Sequence, residues 1–287
     1  MLKPRAFLGI LGGSGVYDIP ELEKREMHTP ETPFGAPSDT LLLGESQGVP
    51  VAFLPRHGRG HRLLPCEVPY RANLFALREL GVQRLLSISA VGSLKEEIAP
   101  GEFVLVEQFL DRSNRQGVSF FGDGIVAHVP LSEPVCAATC DAVRQAAEGL
   151  DLRIHSGGTY LCMEGPQFST RAESELYRSW GCSVIGMTNA TEARLAREAG
   201  MSFCTIAMVT DYDCWHPRHD EVSVEQIVAT ARANAERVRE LVQRSIPGIA
   251  ALGSSPWRGV LEGAVLTAPG SISPEARLRT RALFEPD

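Results

Sequence analysis

The sequence predicts an α/β fold: a single domain with a mostly parallel, mixed and twisted sheet flanked by helices. Short apolar runs, of the kind that form strands buried on both faces, alternate along the chain with segments of helical spacing. The chain has 287 residues, 44% of them hydrophobic, which suits one large α/β domain or two small ones. Because no internal repeat or domain boundary is visible, we expect one domain over residues 1–287. From about residue 247 a tail rich in Gly, Pro and Ser begins.

The first third of the chain supplies four predicted strands and one helix. An apolar run near the start stops at the glycine-rich turn Gly12 to Gly15. Leucines recur at helical spacing from Leu74 to Leu80, and the short link to the next apolar run suits a strand–helix–strand unit. The predicted strands cover residues 6–11, 40–43, 49–54 and 84–89, and the helix covers residues 70–80.

The remainder of the chain continues the alternation. Two capping boxes mark helix starts, Thr170-x-x-Glu173 and Ser223-x-x-Gln226, and a long apolar stripe follows the second. We place Pro247 after the last turn of that long helix. Predicted strands cover residues 102–107, 157–163, 183–185 and 201–209. Predicted helices cover residues 133–149, 171–180, 189–195 and 224–246, a short one follows residue 273, and residues 109–129 are expected to be irregular.

Composition argues against several classes of partner. A net charge of −7 is the opposite of the clustered basic surface that binds a phosphate backbone, so we expect no nucleic-acid partner. No stretch approaches the roughly 20 apolar residues of a membrane span, and the apolar run near the start lacks a signal-peptide cleavage site. Seven cysteines without a C-x-x-C pair fit free thiols in a reducing compartment. We therefore expect a cytoplasmic protein with no membrane partner.

The buried strand predicted over residues 201–209 marks the expected site. It runs into Thr210, Asp211 and Asp213, and in open α/β sheets the ligand crevice lies beyond the carboxyl ends of the strands. Two carboxylates one residue apart can point into one pocket, where partial desolvation raises the pKa of at least one of them. From these residues alone, a solvated turn or a pair of metal ligands stays open as an interpretation.

Four other strand ends carry groups that can bind an anion. The loop Gly13-Ser-Gly15 offers backbone N–H groups and a hydroxyl, and Arg56 and His57 lie in a basic cluster. The segment Ser89-Ala90 offers a hydroxyl and a closely approaching backbone, and Thr188 is placed at a helix N-terminus. A plain strand-ending turn and a solvated charged loop are the alternatives for these segments.

Two familiar interpretations of these motifs fail on spacing. Asp18 stands where a dinucleotide-binding loop needs its third glycine, and no Gly-Lys-Ser/Thr follows for a Walker loop. His57 and His61 lack a third ligand at a suitable spacing, so we predict no metal site.

Several longer motifs resemble one family. They are Pro55-Arg-His-Gly-Arg-Gly-His61, Tyr70-Arg-Ala-Asn73, Ser89-Ala-Val-Gly-Ser93, Glu164-Gly-Pro-Gln-Phe-Ser-Thr-Arg-Ala-Glu173, Gly186-Met-Thr188 and Thr210-Asp-Tyr-Asp-Cys-Trp215. Over residues of about 8 to 249, the chain resembles the purine nucleoside phosphorylase family, and within it the enzymes that cleave 5'-methylthioadenosine. The resemblance implies phosphorolysis of S-methyl-5'-thioadenosine to adenine and 5-methylthioribose 1-phosphate. It implies inorganic phosphate as co-substrate, no cofactor, and a homotrimer or homohexamer.

The resemblance also implies the site residues, position by position. Phe168 corresponds to the ring under the base and Met187 to the residue beneath the ribose, although core packing stays open for Met187. Val224 and Ile227 correspond to the apolar wall of the 5' pocket, and His128 to a residue lent to that pocket across a subunit interface. The implied phosphate ligands are Ser14, Arg56, His57, Ser89, Ala90 through its N–H, and Thr188.

Asp211 and Asp213 match the base-recognition pair of the family and are the expected catalytic residues. Adenine accepts a hydrogen bond at N7 and donates one from its 6-amino group. We therefore expect a protonated Asp211 to donate to N7 and Asp213 to accept from the amino group. As the glycosidic bond lengthens, N7 becomes more basic and Asp211 can act as general acid. A 6-oxopurine would place a carbonyl against Asp213 and should be rejected.

The chain departs from the family pattern at three places. Asn189-Ala-Thr-Glu192 replaces a more usual apolar-Pro-Glu, Pro69 stands where Asn is common, and the tail beyond residue 247 does not match. Because the tail of the family often helps to close the 5' pocket, a phosphorylase for 5'-deoxy-5'-halo-adenosine or for other purine nucleosides stays open as an alternative. A nucleosidase that uses water and a non-catalytic nucleoside-binding protein are the further alternatives.

Overall fold

The computed structural model describes residues 5–19, 22–217 and 224–284, without the side chains of residues 224 and 226. Its centre is one eleven-stranded, mixed and mostly parallel sheet in a single α/β domain, as the sequence predicts. The strands are β1 (Leu8–Gly12), β2 (Glu23–His28), β3 (Leu41–Ser46), β4 (Val49–Pro55), β5 (Arg84–Ser93), β6 (Phe103–Leu105), β7 (Gln108–Asp111), β8 (Ile154–Ser156), β9 (Thr159–Cys162), β10 (Val184–Gly186) and β11 (Ser202–Asp211).

Helices cover both faces of the sheet. They are α1 (Tyr70–Glu79), α2 (Ala137–Ala146), α3 (Arg171–Ser179), α4 (Asn189–Glu198), α5 (Val224–Ala251) and α6 (Pro274–Phe284). Helix α1 packs against α4 and α6 on one face, and α2 packs on α5 on the other. Strand side chains alternate between the two cores: Leu41 and Leu43 join the first, and Leu42 joins the second.

The strand order positions a gap in the middle of the sheet. The order is β2-β3-β4-β1-β5-β10-β9-β7, and β11 lies on the other edge of β5, followed by β6 and β8. Strand β5 pairs with β1 from Arg84 to Ser87, and β10 joins the same edge of β5 only at Gly92 and Ser93. On this edge residues 88–91 therefore face an opening, while their other edge pairs with β11. The carboxyl ends of β1, β4 and β11 surround this opening.

Three strands were not predicted from the sequence. Strand β2 is polar and exposed along most of its length, so it carries no apolar signal and is held by antiparallel pairing with β3. Strand β7 lies inside the segment that we expected to be irregular, where it pairs in parallel with β9. Strand β8 has three residues and pairs with β6. Short or edge strands of this kind depend on their partners more than on their own sequence.

The long helix α5 corrects one prediction: Pro247 lies inside it, not after its last turn. A proline has no N–H to donate to the carbonyl four residues earlier, which is that of Gln243. The side-chain amide of Gln47 donates to this carbonyl over 2.9 Å and replaces the missing bond. The helix continues to Ala251 and the chain turns at Gly253, where φ is +65°. The capping box predicted at residue 223 lies outside the described residues.

One other helix start differs from the prediction, and those of α3 and α4 agree with it. Helix α2 begins at Ala137, four residues later than the prediction, with Cys136 as N-cap. Helix α4 has Thr188 as N-cap, and Asn189, its first residue, directs its side chain to other buried groups. The predicted capping box of α3 is present, with Thr170 and Glu173 in reciprocal hydrogen bonds.

The segment after α5 is tied to the rest of the fold. The Arg84 guanidinium donates to the carbonyls of Leu252, Gly253 and Ser254 over 2.9 to 3.2 Å. Further along, Leu261 and Leu283 are buried in the same core as α1. Within the described part of the chain, none of the helices has the length and apolar character needed to cross a membrane.

Candidate active site

One large cavity, of about 940 Å³, lies at the sheet opening. Its size suits a nucleoside together with an inorganic anion. Most of the side chains predicted for the site line it, and they come from the ends of β1, β4, β10 and β11, from the loop after β9, from α5 and from β5. These side chains are those of Ser14, Arg56, His57, Ser89, Ala90, Phe168, Met187, Thr188, Asp211, Asp213 and Ile227. Strand β5 continues to Ser93, so Ser89 and Ala90 lie inside it and not at its end, where the sequence predicted them.

Arg56 anchors one end of this cavity. It follows β4 and is 1% exposed, and its guanidinium makes a buried two-point ion pair with Glu192 of α4. It also donates to the Ile88 carbonyl over 3.0 Å and to the Ser87 hydroxyl over 2.5 Å. Four of its five N–H groups are thus used within the described contacts, which leaves one for a ligand. Glu192 was not predicted as a site residue.

Glu192 is itself held in a buried polar network. The Ser87 hydroxyl donates to its carboxylate over 2.6 Å, and the Asn189 side-chain amide donates to it over 2.8 Å. A buried ion pair needs further hydrogen bonds to offset the loss of hydration, and here the Glu192 carboxylate has them. The network fixes the direction of the Arg56 fork toward the cavity.

Gly13 allows the loop after β1 to approach this network. A Cβ at this position would lie 2.3 Å from the Ile88 carbonyl oxygen and 3.0 Å from Nη1 of Arg56. Only glycine permits such an approach, which brings Ser14 to the cavity wall. The Ile88 carbonyl faces the sheet opening, and Ala90, two residues on, directs its backbone groups to the same edge.

His57 is a neutral histidine with a defined tautomer. Its Nδ1 lies 2.9 Å from the Leu63 carbonyl oxygen, which can only accept, so Nδ1 carries the hydrogen. Burial, reinforced by the Arg56 charge, lowers the pKa of His57 to about 3. His57 therefore stays uncharged near neutral pH, with Nε2 as a hydrogen-bond acceptor.

Two further residues lie beside His57 in the cavity wall, and the sequence assigned neither of them a role. The His61 ring stacks on His57 with centroids 4.4 Å apart, and its Nδ1 lies 3.0 Å from the Tyr17 hydroxyl. Both His61 and Tyr17 line the cavity. They restrain the His57 ring and close the wall beside it.

Thr188 lies at the N-terminus of α4 and is 4% exposed. Its hydroxyl makes no capping hydrogen bond, and its oxygen accepts only a long contact of 3.5 Å from the Asn189 amide, so its hydrogen stays available to a ligand. Exposed N–H groups and the helix dipole favour an anion at such a position. Across the opening, the Ser89 hydroxyl lies 3.2 Å from the buried Tyr160 hydroxyl.

The Asp pair lies at the other end of the cavity, next to a bulge in β11. The register with β5 shifts between Val209 and Asp211, which leaves Thr210 as an extra residue and redirects the chain. The Thr210 hydroxyl donates to Asp211 over 2.7 Å, and the Asp213 N–H donates to it over 2.8 Å. Gly92 provides the space, because a Cβ there would lie 2.8 Å from Oδ1 of Asp211.

Both carboxyl groups of this pair hold protons more tightly than usual. Burial raises the pKa of Asp211 to about 6, against the opposing hydrogen bonds from Thr210 and the Asp213 N–H. Burial also raises the pKa of Asp213, although the hydroxyls of Ser174 and Ser169 oppose the rise. Oδ2 of Asp213 is buried and has no hydrogen-bond partner among the described residues. The site therefore offers a protonatable acid beside an acceptor that lacks a donor.

One predicted residue of the 5' pocket, His128, does not line this cavity in the single chain, and another, Val224, cannot be compared. His128 is exposed, on a loop where its N–H donates to the Ala264 carbonyl over 3.0 Å. Val224 starts α5, but its side chain lies outside the described residues. Ile227, one turn later on α5, does line the cavity. Among the described residues no group of three or more His, Cys, Asp or Glu side chains could hold a metal ion.

Residues 7–247 match the family model of the phosphorylase superfamily. The S-methyl-5'-thioadenosine phosphorylase of Cereibacter sphaeroides is 53% identical to this chain, and the match covers 94% of each protein.

Solved structures of similar chains agree. A methylthioadenosine phosphorylase from an antarctic soil metagenomic library is 44% identical, with a TM-score of 0.92 over 99% of this chain and 100% of that one. The methylthioadenosine phosphorylase of Schistosoma mansoni in complex with adenine is 37% identical. Its TM-score is 0.81 over 90% of this chain and 96% of that one.

Proposed function

This chain belongs to the phosphorylase superfamily, and we propose that the protein cleaves S-methyl-5'-thioadenosine with inorganic phosphate. The products are adenine and 5-methylthioribose 1-phosphate, so the enzyme is a pentosyltransferase. Relatives that are 53% identical over nearly the whole chain are phosphorylases of this nucleoside. The observation that carries the proposal is a single cavity with a buried guanidinium at one end and a protonatable Asp pair at the other.

The phosphate subsite lies around Arg56. Its free N–H, the hydroxyls of Ser14, Ser89 and Thr188, and the Ala90 N–H supply donors for the phosphate oxygens. His57 has a different role, because its bare Nε2 can only accept. The hydrogen phosphate dianion carries one O–H, which can donate to Nε2. This arrangement orients the phosphate and leaves a deprotonated oxygen to attack C1'.

The base lies against the Asp pair, with Phe168 beside its ring. The adenine 6-amino group donates to Oδ2 of Asp213, the buried acceptor that lacks a partner among the described residues. An unsatisfied buried acceptor costs about 1–3 kcal/mol, and binding of adenine removes that cost. A 6-oxopurine offers no donor there, so Asp213 selects against it.

Asp211 supplies the proton for the leaving base. Because burial raises the pKa of Asp211 to about 6, a useful share of the protein has a neutral carboxyl at this position near pH 7. It donates to N7 and transfers its proton as the glycosidic bond breaks. The sugar becomes oxocarbenium-like, with Met187 beneath it, and the phosphate dianion stabilises this charge before it attacks C1'.

The 5' pocket is completed by a second copy of the chain. His128 is exposed next to two exposed apolar residues, Val126 at 45% and Leu266 at 69%, on segments that hydrogen bond to each other. Apolar residues exposed together mark an interaction surface. In a homotrimer, or a hexamer made of two trimers, this surface covers the open side of the neighbouring cavity near Val224 and Ile227. Light scattering should then give three or six times the chain mass.

The domain extends over the whole chain, including the tail after residue 247. Its support is the bonding of Arg84 to residues 252–254 and the burial of Leu261 and Leu283 in the first core. Inorganic phosphate is a co-substrate, and the mechanism uses no cofactor. We place the enzyme in the cytoplasm, where its nucleoside and phosphate substrates are available.

Release of adenine from S-methyl-5'-thioadenosine, with and without phosphate, tests the proposal. We expect release that depends on phosphate and yields the sugar 1-phosphate. Equal release without phosphate would identify a nucleosidase, and binding without release would identify a non-catalytic binding protein. Faster turnover of 5'-deoxy-5'-halo-adenosine or of inosine would change the assigned substrate.

A further inference from the structure

Tyr160 is a buried residue with no role in the reaction described so far. It lies in β9, is 0% exposed, and its ring packs against Phe109 with centroids 5.6 Å apart. Its hydroxyl points away from the apolar core and reaches the back of the phosphate subsite. There it lies 3.2 Å from the hydroxyl oxygen of Ser89.

The fold makes room for this hydroxyl at Gly186. In the parallel pairing of β9 and β10, Tyr160 is opposite Val184, so its side chain passes over Gly186, which is on the same face. A Cβ at Gly186 would lie 1.9 Å from the Tyr160 oxygen. The Tyr160 hydroxyl therefore occupies the space that a side chain at residue 186 would fill, directly before Met187 and Thr188.

Burial raises the pKa of Tyr160, and the Ser89 hydroxyl and the backbone N–H of Thr188 oppose the rise. The phenol therefore keeps its proton near neutral pH. Either hydroxyl of the Tyr160–Ser89 pair can be the donor, and Ser89 is free to donate to a phosphate only when Tyr160 donates to it. The Ser89 hydrogen has only a long contact of 3.4 Å, to the Ala90 carbonyl, and is free to turn into the cavity.

We propose that Tyr160 is a positioning residue for phosphate, which fixes the Ser89 hydroxyl as a donor and links it to the start of α4. This inference rests on the proposed function, because it assigns Ser89 and Thr188 to a phosphate. Tyr160 touches neither the nucleoside nor the phosphate. Without the Tyr160 hydroxyl, the Ser89 hydroxyl could turn to either of two orientations. With it, the Ser89 oxygen accepts from Tyr160 and the Ser89 hydrogen points to the phosphate.

Tyr160→Phe tests the role, because it keeps the ring that packs on Phe109 and removes only the hydroxyl. We expect the KM for phosphate to rise about threefold to tenfold, the effect of one lost neutral hydrogen bond. The kcat at saturating phosphate and the KM for the nucleoside should stay within about twofold. Tyr177→Phe, which removes a hydroxyl from another buried tyrosine, should leave the phosphate KM unchanged. Thermal stabilisation by phosphate gives a binding readout without catalysis.

A double-mutant cycle separates positioning from a general loss of packing. In a Ser89→Ala background, Tyr160→Phe should add less than a twofold rise in phosphate KM, because the group that it positions is absent. An equal rise in both backgrounds, or an unchanged phosphate KM in Tyr160→Phe, would overturn the inference. If Tyr160→Phe does not fold, Gly186→Ala displaces the same hydroxyl and should raise the phosphate KM in the same way. Phosphate-independent cleavage by the wild type would instead contradict the proposed function.

Discussion

Asp211→Asn separates hydrogen bonding from proton transfer at the leaving base. The asparagine amide can still donate a hydrogen bond to N7, but it cannot protonate it. Its volume and its contacts with Thr210 and the Asp213 N–H are nearly those of the aspartate. The substitution therefore removes the acid and keeps the shape of the base subsite.

The structure sets the size of the expected effect. Burial raises the pKa of Asp211 from 3.8 to about 6, a preference for the neutral acid of about 3 kcal/mol. At pH 7 roughly one molecule in ten then carries the proton, against fewer than about one in a thousand for an unshifted carboxyl. Loss of a general acid lowers kcat by about 10² to 10⁴. The KM for S-methyl-5'-thioadenosine should change by less than about tenfold, because the hydrogen bond remains.

The assay is adenine release at saturating phosphate between pH 5 and 8. In the wild type, kcat/KM for the nucleoside should fall about tenfold per unit above pH 6, because the acid must be protonated. The Asp211→Asn variant should lose this dependence, and any remaining slope belongs to the titration of phosphate. A variant that keeps a third or more of the wild-type kcat, or a flat wild-type profile, would refute the role of Asp211.

Three other predictions concern the polar network, His57 and base selection. Glu192→Ala leaves Arg56 buried without its partner and should lower the free energy of unfolding by about 3–5 kcal/mol. Denaturant unfolding without phosphate measures this loss, and a loss below about 1 kcal/mol would contradict the importance of the ion pair. The folded-state pKa of His57 is lowered from 6.5 to about 3. Between pH 7 and pH 5 this histidine therefore takes up a proton in the unfolded chain but not in the folded protein, so the free energy of unfolding should fall by about 2 kcal/mol. His57→Gln should remove that part of the pH dependence, and an identical stability profile in both proteins would count against a buried neutral His57. In Asp213→Asn the new amide can donate to a 6-oxo group. The ratio of kcat/KM for 5'-methylthioinosine to kcat/KM for S-methyl-5'-thioadenosine should therefore rise at least about tenfold. An unchanged ratio would show that Asp213 does not select the base.

The sequence was informative where local pattern and topology act together. The apolar run before Thr210 forms most of β11, and the strands before Ser14 and Arg56 end within one residue of the prediction. Carboxyl ends of parallel strands meet at one edge, so these groups were expected to converge. The individual roles within the site came from the family resemblance, since a motif such as Asp-x-Asp by itself fits a turn equally well.

Other features depend on residues far apart in the chain. Glu192 meets Arg56 across 136 positions, and Tyr160 meets Ser89 across 71. Neither contact leaves a local signal, because a glutamate on a helix and a tyrosine on a strand are common. Pro247 was placed outside α5 for a similar reason, since the Gln47 amide that satisfies the helix comes from a distant turn. Short strands such as β8 are visible only through their partners.

A crystal structure with S-methyl-5'-thioadenosine and sulfate bound together would test the central claim most directly. We expect N7 of the base within hydrogen-bond distance of Asp211, the 6-amino group at Oδ2 of Asp213, and the sulfate at Arg56, Ser89 and Thr188. A base bound away from Asp211 and Asp213, or a sulfate bound away from Arg56, would contradict it.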